Sequence, residues 1–198
     1  MIKRIAILLP LVVCMACAGS SPPVRYYLLT PAAPEGVAPV RAGAEKALLV
    51  LEPVDIPPYL NRTQIVTRNS ENHLQLAQYD QWGDTLRENI SRVLLENLSI
   101  VLGTDRLATP TALPQERLTL RLAAQVTQFE RGADGQVVLK VRWRLVEGRT
   151  GKLVLVRQSQ FAAGPVQATD YEGLAARMSG LLWEWSREMA REMEEHLR

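Results

Sequence analysis

Cysteine is nearly absent from this chain. There are two, Cys14 and Cys17, and both fall at its N-terminal end. A disulfide framework and a thiolate metal site in the main body are therefore excluded. Long apolar runs are absent too. Nothing approaches the roughly 18 consecutive apolar residues that a membrane-spanning helix needs. Aromatic residues make up 6% of the 198 residues, and histidine occurs twice, as His73 and His196. Neither His has another ligand type at metal-binding spacing. Excess charge is lacking as well: the net charge is +2. Loss of Lys3 and Arg4 with a leader would bring the chain to neutrality. Without a basic block it is a poor nucleic-acid binder, because that affinity rests on counterion release from phosphates.

Chemical motifs are missing in the same way. There is no P-loop, no Gly-x-Gly-x-x-Gly turn and no Gly-x-Ser-x-Gly elbow. Asp55, Asp80 and Asp84 are the acids nearest a proline-rich turn, where they read as turn and helix-cap residues. No catalytic residue, cofactor site or metal site is assigned, and the chain reads as a non-enzyme.

What is present is ordinary globular material, 47% hydrophobic and 22% charged. The N-terminus is its most informative segment. Lys3 and Arg4 precede about twelve apolar residues, Ile5 to Ala16, which is the length of a signal-peptide core. Cys14-Met15-Ala16-Cys17 then resembles the lipobox of bacterial lipoproteins, with Ala16 before the acylated Cys17. Residues 1–16 are thus expected to be a signal peptide, and 17–25 a lipidated N-terminus and tether. Residues 26–198 are expected to form one domain. Acyl chains at Cys17 would hold it on a membrane without a spanning helix. Ala18 after the Cys favours the outer membrane by resemblance to lipoprotein sorting rules.

Periodicity predicts the elements. Arg25 to Thr30 is rich in strand formers, and 31–46, with three prolines and two glycines, reads as an exposed loop. Leu48-Leu49-Val50-Leu51 suits a strand covered on both faces. Pro57-Pro58 breaks it. Residues 64–68 and 73–77 alternate as a hairpin about a turn at 69–72. A helix follows Trp82, with Asp84 as N-cap and Leu86, Ile90, Val93, Leu94 and Leu98 on one face. Ser99 to Leu102 reads as a short strand and 103–116 as a loop. Three alternating runs from Leu118 to Phe161 form an antiparallel meander with one buried face. Its wet face carries Lys140, Arg142 and Arg144. A last helix opens near Thr169-Asp170 and runs to about Glu195. Trp185 falls on its core stripe, and Trp183 falls off it as a candidate exposed contact. The fold class is α+β: a two-layer sandwich, a mixed but mostly antiparallel sheet of about six or seven strands, and two helices packed on one face.

Residues 49–68, Leu-Val-Leu-Glu-Pro-Val-Asp-Ile-Pro-Pro-Tyr-Leu-Asn-Arg-Thr-Gln-Ile-Val-Thr-Arg, resemble the ABC-type transport auxiliary lipoproteins, the PqiC-like family. Ile56, Pro57, Tyr59, Leu60, Arg62, Gln64, Ile65 and Val66 match its motif, and Trp82 and Leu86 supply the later part. Tyr26-Tyr27, Gly135 to Leu139, Trp143 to Leu145 and Asp170-Tyr171 extend the match over the expected domain. Asn61 and Thr63 depart from the common Asp and Pro. The resemblance implies a periplasm-facing outer-membrane lipoprotein. It would be a non-catalytic accessory of an MCE-type (mammalian-cell-entry) ABC lipid transport system, docking the trans-envelope assembly at the outer membrane. The implied partner is an MCE-domain protein. A homo-oligomer is also raised by the resemblance, with its stoichiometry open. Tyr59, Arg62, Gln64 and Trp82 are the motif positions that become candidate partner contacts. Two other functions compete. A lipid-binding shuttle predicts an apolar cavity, and a lipoprotein hydrolase predicts perturbed side chains beside a cleft.

Overall fold

The computed structural model describes residues 22–40, 47–110 and 119–197. Cys17, the leader and Leu118 lie outside them. Among the described residues eight strands form one sheet: β1 (Arg25–Tyr27), β2 (Leu48–Leu51), β3 (Gln64–Ser70), β4 (His73–Trp82), β5 (Leu107–Ala108), β6 (Thr119–Arg131), β7 (Val137–Glu147) and β8 (Leu153–Ala163). Helix α1 (Leu86–Leu102) follows β4, and α2 (Tyr171–Leu197) follows β8. The class is the expected α+β, with one more strand than the upper estimate. The extra strand is β5, two residues inside the segment expected to be loop. It pairs parallel with β2.

The meander β6–β7–β8 is the backbone of the sheet. Its antiparallel ladders run Leu120↔Glu147 to Arg131↔Val137, and Val137↔Ala163 to Val146↔Leu153. Alternation sends Leu120, Leu122, Val126, Val137, Leu139, Val141, Trp143 and Leu145 to the helix face, where all are buried. Two strands share the free edge of β6, end to end. β2 pairs parallel at Leu48↔Thr119 to Leu51↔Leu122, and β3 pairs parallel at Thr67↔Arg131. β4 then pairs antiparallel with β3, and β1 parallel with β4. The fully buried Leu48–Leu51 agrees with a strand covered on both faces.

Helix α1 is stopped by geometry rather than by the β-formers near its end. Ser99 to Leu102 is its last turn, not a strand. Val101 and Leu102 continue the buried stripe, and Gly103 takes the left-handed cap at φ 61°. The N-cap is Thr85, one residue beyond Asp84: its side chain accepts from the Glu88 N–H, while Asp84 Oδ1 accepts from the Thr85 N–H. Asp170 caps α2 by accepting from the Gly173 N–H at 2.8 Å.

Helix α2 is pinned to the meander by polar contacts. Trp143 Nε1 donates to Ser159 Oγ at 3.1 Å, Ser159 Oγ donates to Glu188, and Arg157 pairs with Glu192 at 2.7 Å. Trp183 is buried with Trp185, so it belongs to the core and not to the surface. A stripe wider than the heptad-like pattern covers both tryptophans. The stretch expected as an exposed loop after β1 is, over 29–40, a half-buried strap. Arg92 donates to the Leu29 carbonyl at 2.9 Å, the Thr30 N–H to Ser179 Oγ at 3.1 Å, and the Val40 N–H to the Val101 carbonyl at 2.7 Å. Leu29 is fully buried, and Ala32, Ala33, Val37 and Val40 pack on the core. These apolar residues between the prolines outweighed the turn signal. Among the described residues no helix is long and apolar enough to cross a membrane.

Candidate functional site

The motif turn sits where β2 hands the edge of β6 to β3. The edge is bonded as far as Asp55: the Asp55 N–H donates to the Ala124 carbonyl, and the Val126 N–H to the Asp55 carbonyl at 2.8 Å. The chain is next in register with β6 at Thr67↔Arg131. Between these points it covers twice as many residues as β6 does. The surplus is extruded as a tight turn. Pro57 and Pro58 have no amide to give, so they act as acceptors. The Leu60 N–H donates to the Pro57 carbonyl at 2.9 Å and the Asn61 N–H to the Pro58 carbonyl at 3.2 Å. Ile56 and Leu60 are buried and anchor both ends of the turn in the core.

Glu130 holds the turn from below. Phe129 points into the core, so alternation turns Glu130 to the opposite face, yet its side chain is 0% exposed. The turn and β3 roof it. Tyr59 Oη donates to Glu130 Oε2 at 3.1 Å, Arg68 Nε to Oε1 at 2.9 Å, and the Phe129 N–H to Oε2 at 3.1 Å. The Arg68 guanidinium also stands 5.9 Å from the Tyr59 ring centroid. Burial, and then the Glu130 charge, push the Tyr59 phenol up to about 12. The hydrogen bond to Glu130 likewise raises the pKa of Arg68. Arg68 Nη1 also donates to the Glu71 carbonyl at 2.6 Å, so the guanidinium ties the carboxyl group to the β3–β4 turn and the group forms a rigid mount.

The four motif residues therefore have different roles. Tyr59 is half-buried and faces Glu130. Arg62 is exposed at the tip with Asn61 and Thr63, and its side chain makes no ion pair or hydrogen bond among the described residues. Gln64 opens β3, paired with Gln81, and its side chain accepts from Thr63 Oγ1 at 3.4 Å. Trp82 is 4% exposed and packs in the core, while its backbone N–H donates to the Thr63 carbonyl at 2.8 Å. Trp82 is thus a core residue whose backbone ties β4 to the end of the turn, and not a surface contact. An open cavity of about 530 Å³ runs beside the turn, lined by Ile56, Pro57, Tyr59, Arg87 and Thr127.

Sequence reasoning missed Glu130 and Arg68. A lone acid in an alternating strand reads as solvent-facing, and only the turn overhead buries it. Asp80 was also more than a turn acid. It is buried, with Arg25 Nε at 2.8 Å and the Tyr27 hydroxyl donating at 2.8 Å, and it clamps β1 onto β4. Asp55 accepts from Gln125 Nε2 at 3.1 Å, and Asp84 serves the start of α1. The three acids do not converge.

The chain is 27% identical over 176 residues to the intermembrane transport lipoprotein PqiC of Escherichia coli, covering 88% of this chain and 87% of that one. The Shigella flexneri PqiC matches equally. Among solved structures, an uncharacterized protein superposes with a TM-score of 0.69 at 23% identity, over 86% of this chain and 99% of its own. A Xanthomonas campestris protein does so at 0.66 and 16%, over 83% and 92%. These two show the fold. The family model described as the ABC-type transport auxiliary lipoprotein component matches residues 27–190, which takes in β2 to β8, the mounted turn, α1 and α2 as far as residue 190. The chain belongs to the ABC-type transport auxiliary lipoprotein family.

Proposed function

We propose that this chain is an outer-membrane lipoprotein, anchored through acylated Cys17 with its domain in the periplasm, that docks an MCE-type lipid transport assembly at that membrane. Residues 1–16 act as the signal peptide, 17–25 as the lipidated tether, and 26–198 as the docking domain. The relatives named for intermembrane transport support a role between membranes. The observation that carries the docking reading is the mounted turn. A segment with two adjacent prolines is extruded from the sheet edge and fixed by a fully buried carboxyl group, while its tip, Pro58, Asn61, Arg62 and Thr63, stays exposed. A preorganised tip loses little conformational entropy on binding, which is the economical way to build a contact. The lipid-shuttle alternative needs room between helices and sheet. That space holds Trp143, Trp185, Phe129 and Met189, all essentially inaccessible.

The test is photo-crosslinking in cells. A photoactivatable residue replaces Asn61, the exposed neighbour of Arg62, in the full-length protein, with Thr150 as a control position on another exposed turn and Cys17→Ala as the anchor control. The expected product is a crosslink to an MCE-domain protein from position 61, reduced in the anchor variant. Equal yield from position 150, or no such partner together with copurified phospholipid in a soluble form, would overturn docking and favour the shuttle.

A further inference from the structure

Strand β7 lies between β6 and β8, and on the face turned away from the helices it carries Lys140, Arg142 and Arg144. Consecutive same-face residues on a strand stand about 6.6–6.8 Å apart. Like charges at that spacing need counter-charges. The register shows that their cross-strand neighbours supply none. Arg144 lies between Ala123 and Val156, Arg142 between Gln125 and Gln158, and Lys140 between Gln128 and Gln160. The side chains of Arg142 and Arg144 are exposed and make no ion pair or hydrogen bond among the described residues. Other arginines in the meander behave differently. Arg121 pairs with Glu52 at 2.7 Å, and Arg157 with Glu192 at 2.7 Å.

The surroundings of the two free guanidiniums are apolar and concave. A groove of about 460 Å³ is lined by Pro53, Ala123, Gln125, Arg142, Arg144 and Val156. Val156 is 54% exposed, and so is Leu153, which stands opposite Val146 two pairs further along, beyond a register shift. Exposed aliphatic residues of that size beside unpaired cations need an amphipathic occupant. Asp55 on the rim adds a negative group. It disfavours a multiply charged free anion and tolerates one with a single charge.

From this charge pattern we infer that the outer face of β6–β7–β8 binds the phosphodiester headgroup of an anionic phospholipid. The two guanidinium forks take the two free phosphate oxygens, as planar donors suited to such oxyanions. Val156 and Leu153 meet the glycerol and the first methylenes. The glutamines on both sides offer donors to a polar headgroup. The groove adjoins the cavity beside the proline turn, sharing Asp55 and Gln125 with it, but the inference does not rest on the docking reading. An acidic peptide would leave the aliphatic wall uncovered, and inorganic phosphate would leave it bare.

The test uses the full-length protein in nanodiscs of phosphatidylcholine doped with photoactivatable phosphatidylglycerol. Labelled peptides are mapped by mass spectrometry in the wild type, in Arg142→Gln/Arg144→Gln, in Arg144→Gln alone, and in Arg149→Gln, which matches the single variant in charge change at an exposed turn. Labelling is expected within residues 119–163. It should fall at least tenfold in the double variant, at roughly the cost of two membrane-proximal charges, and stay unchanged in the control. Excess inorganic phosphate should leave it intact. Melting temperatures within a few degrees of wild type will establish that the exposed substitutions leave the fold whole. If the double variant is destabilised, Arg144→Gln alone should still cut labelling severalfold. Equal labelling by a phosphatidylcholine probe, full displacement by phosphate or by a glutamate-rich peptide, or no change in the arginine variants would each overturn the assignment.

Discussion

Replacing Tyr59 by Phe removes one hydroxyl and leaves the ring. The hydroxyl donates to Glu130, whose side chain has no contact with water. A hydrogen bond to a charged partner contributes about 1.5–3 kcal/mol. Glu130 keeps Arg68 and the Phe129 N–H, so the loss should fall at the low end, about 1.5 kcal/mol. For a domain of this size that lowers the melting temperature by about 3–6 °C. The pH dependence gives a second, sharper signature. The phenol is raised from 10.0 to about 12 in the fold, first by burial and then by Glu130. The folded state therefore favours the protonated form more than the unfolded state does. That contribution is complete below pH 10 and is lost as the pH rises through about 12. Two pKa units correspond to about 2.7 kcal/mol, and partial exposure of the ring reduces this to about 2 kcal/mol. Tyr27 and Tyr171 are raised too, mainly by burial, so both proteins will weaken in alkali. The difference between them isolates Tyr59. Urea unfolding at pH 8, 10 and 11.5 measures it. A Tyr59→Phe variant that loses under about 0.3 kcal/mol at pH 8, or has the wild-type alkaline slope, would refute the mount.

Trp82→Ala should cost about 3–5 kcal/mol, as a large buried side chain does, and urea unfolding will read it; a loss under 1 kcal/mol would mean that the ring does not pack in the core. Asp80→Asn should loosen β1, seen as faster amide exchange at Gly83, whose N–H donates to the Tyr27 carbonyl, with little change at the centre of β7. Gly173→Ala places a Cβ 2.2 Å from Asp170 Oδ2 and must displace that cap. The helix gain of about 1 kcal/mol should then be cancelled by a cap loss of similar size, and in an Asp170→Ala background the same substitution should stabilise by about 1 kcal/mol.

The fold was legible where period and length agree. The runs from Leu120 to Phe161 alternate cleanly, so three strands and their buried face follow from the pattern. Failures came where local and tertiary signals conflict. Ile100 and Val101 suggest a strand, but Val101 and Leu102 sit on the stripe begun by Leu94 and Leu98, and the true stop is Gly103. The strap after Leu29 has the prolines of a loop, and its apolar residues decide the matter only because two helices offer them a surface. The strand β5 has no signal at all, being two residues defined by their pairing with β2.

The site was legible in half. The turn stands out because two adjacent prolines interrupt an apolar run, and Tyr59 and Arg62 follow at once. Its support does not stand out, because Glu130 lies 71 residues from Tyr59. Pro57 and Pro58 give up two amide donors, so the turn cannot be stitched to the sheet by its own backbone there. A side-chain hydroxyl and a guanidinium supply the missing links, and both end on one carboxyl group. This divides the motif by role: Tyr59 and Trp82 set the shape, and Arg62, exposed and without a partner among the described residues, is what the shape presents. The two should separate experimentally. Tyr59→Phe should lower stability and weaken capture of the partner in proportion. Arg62→Ala should leave the melting temperature within about 1 °C, since exposed substitutions seldom exceed about 0.5 kcal/mol, and yet reduce capture at least threefold in a pull-down from cells. If Arg62→Ala captures the partner as well as the wild type, the tip of the turn is not the contact surface, whatever Tyr59 does to the fold.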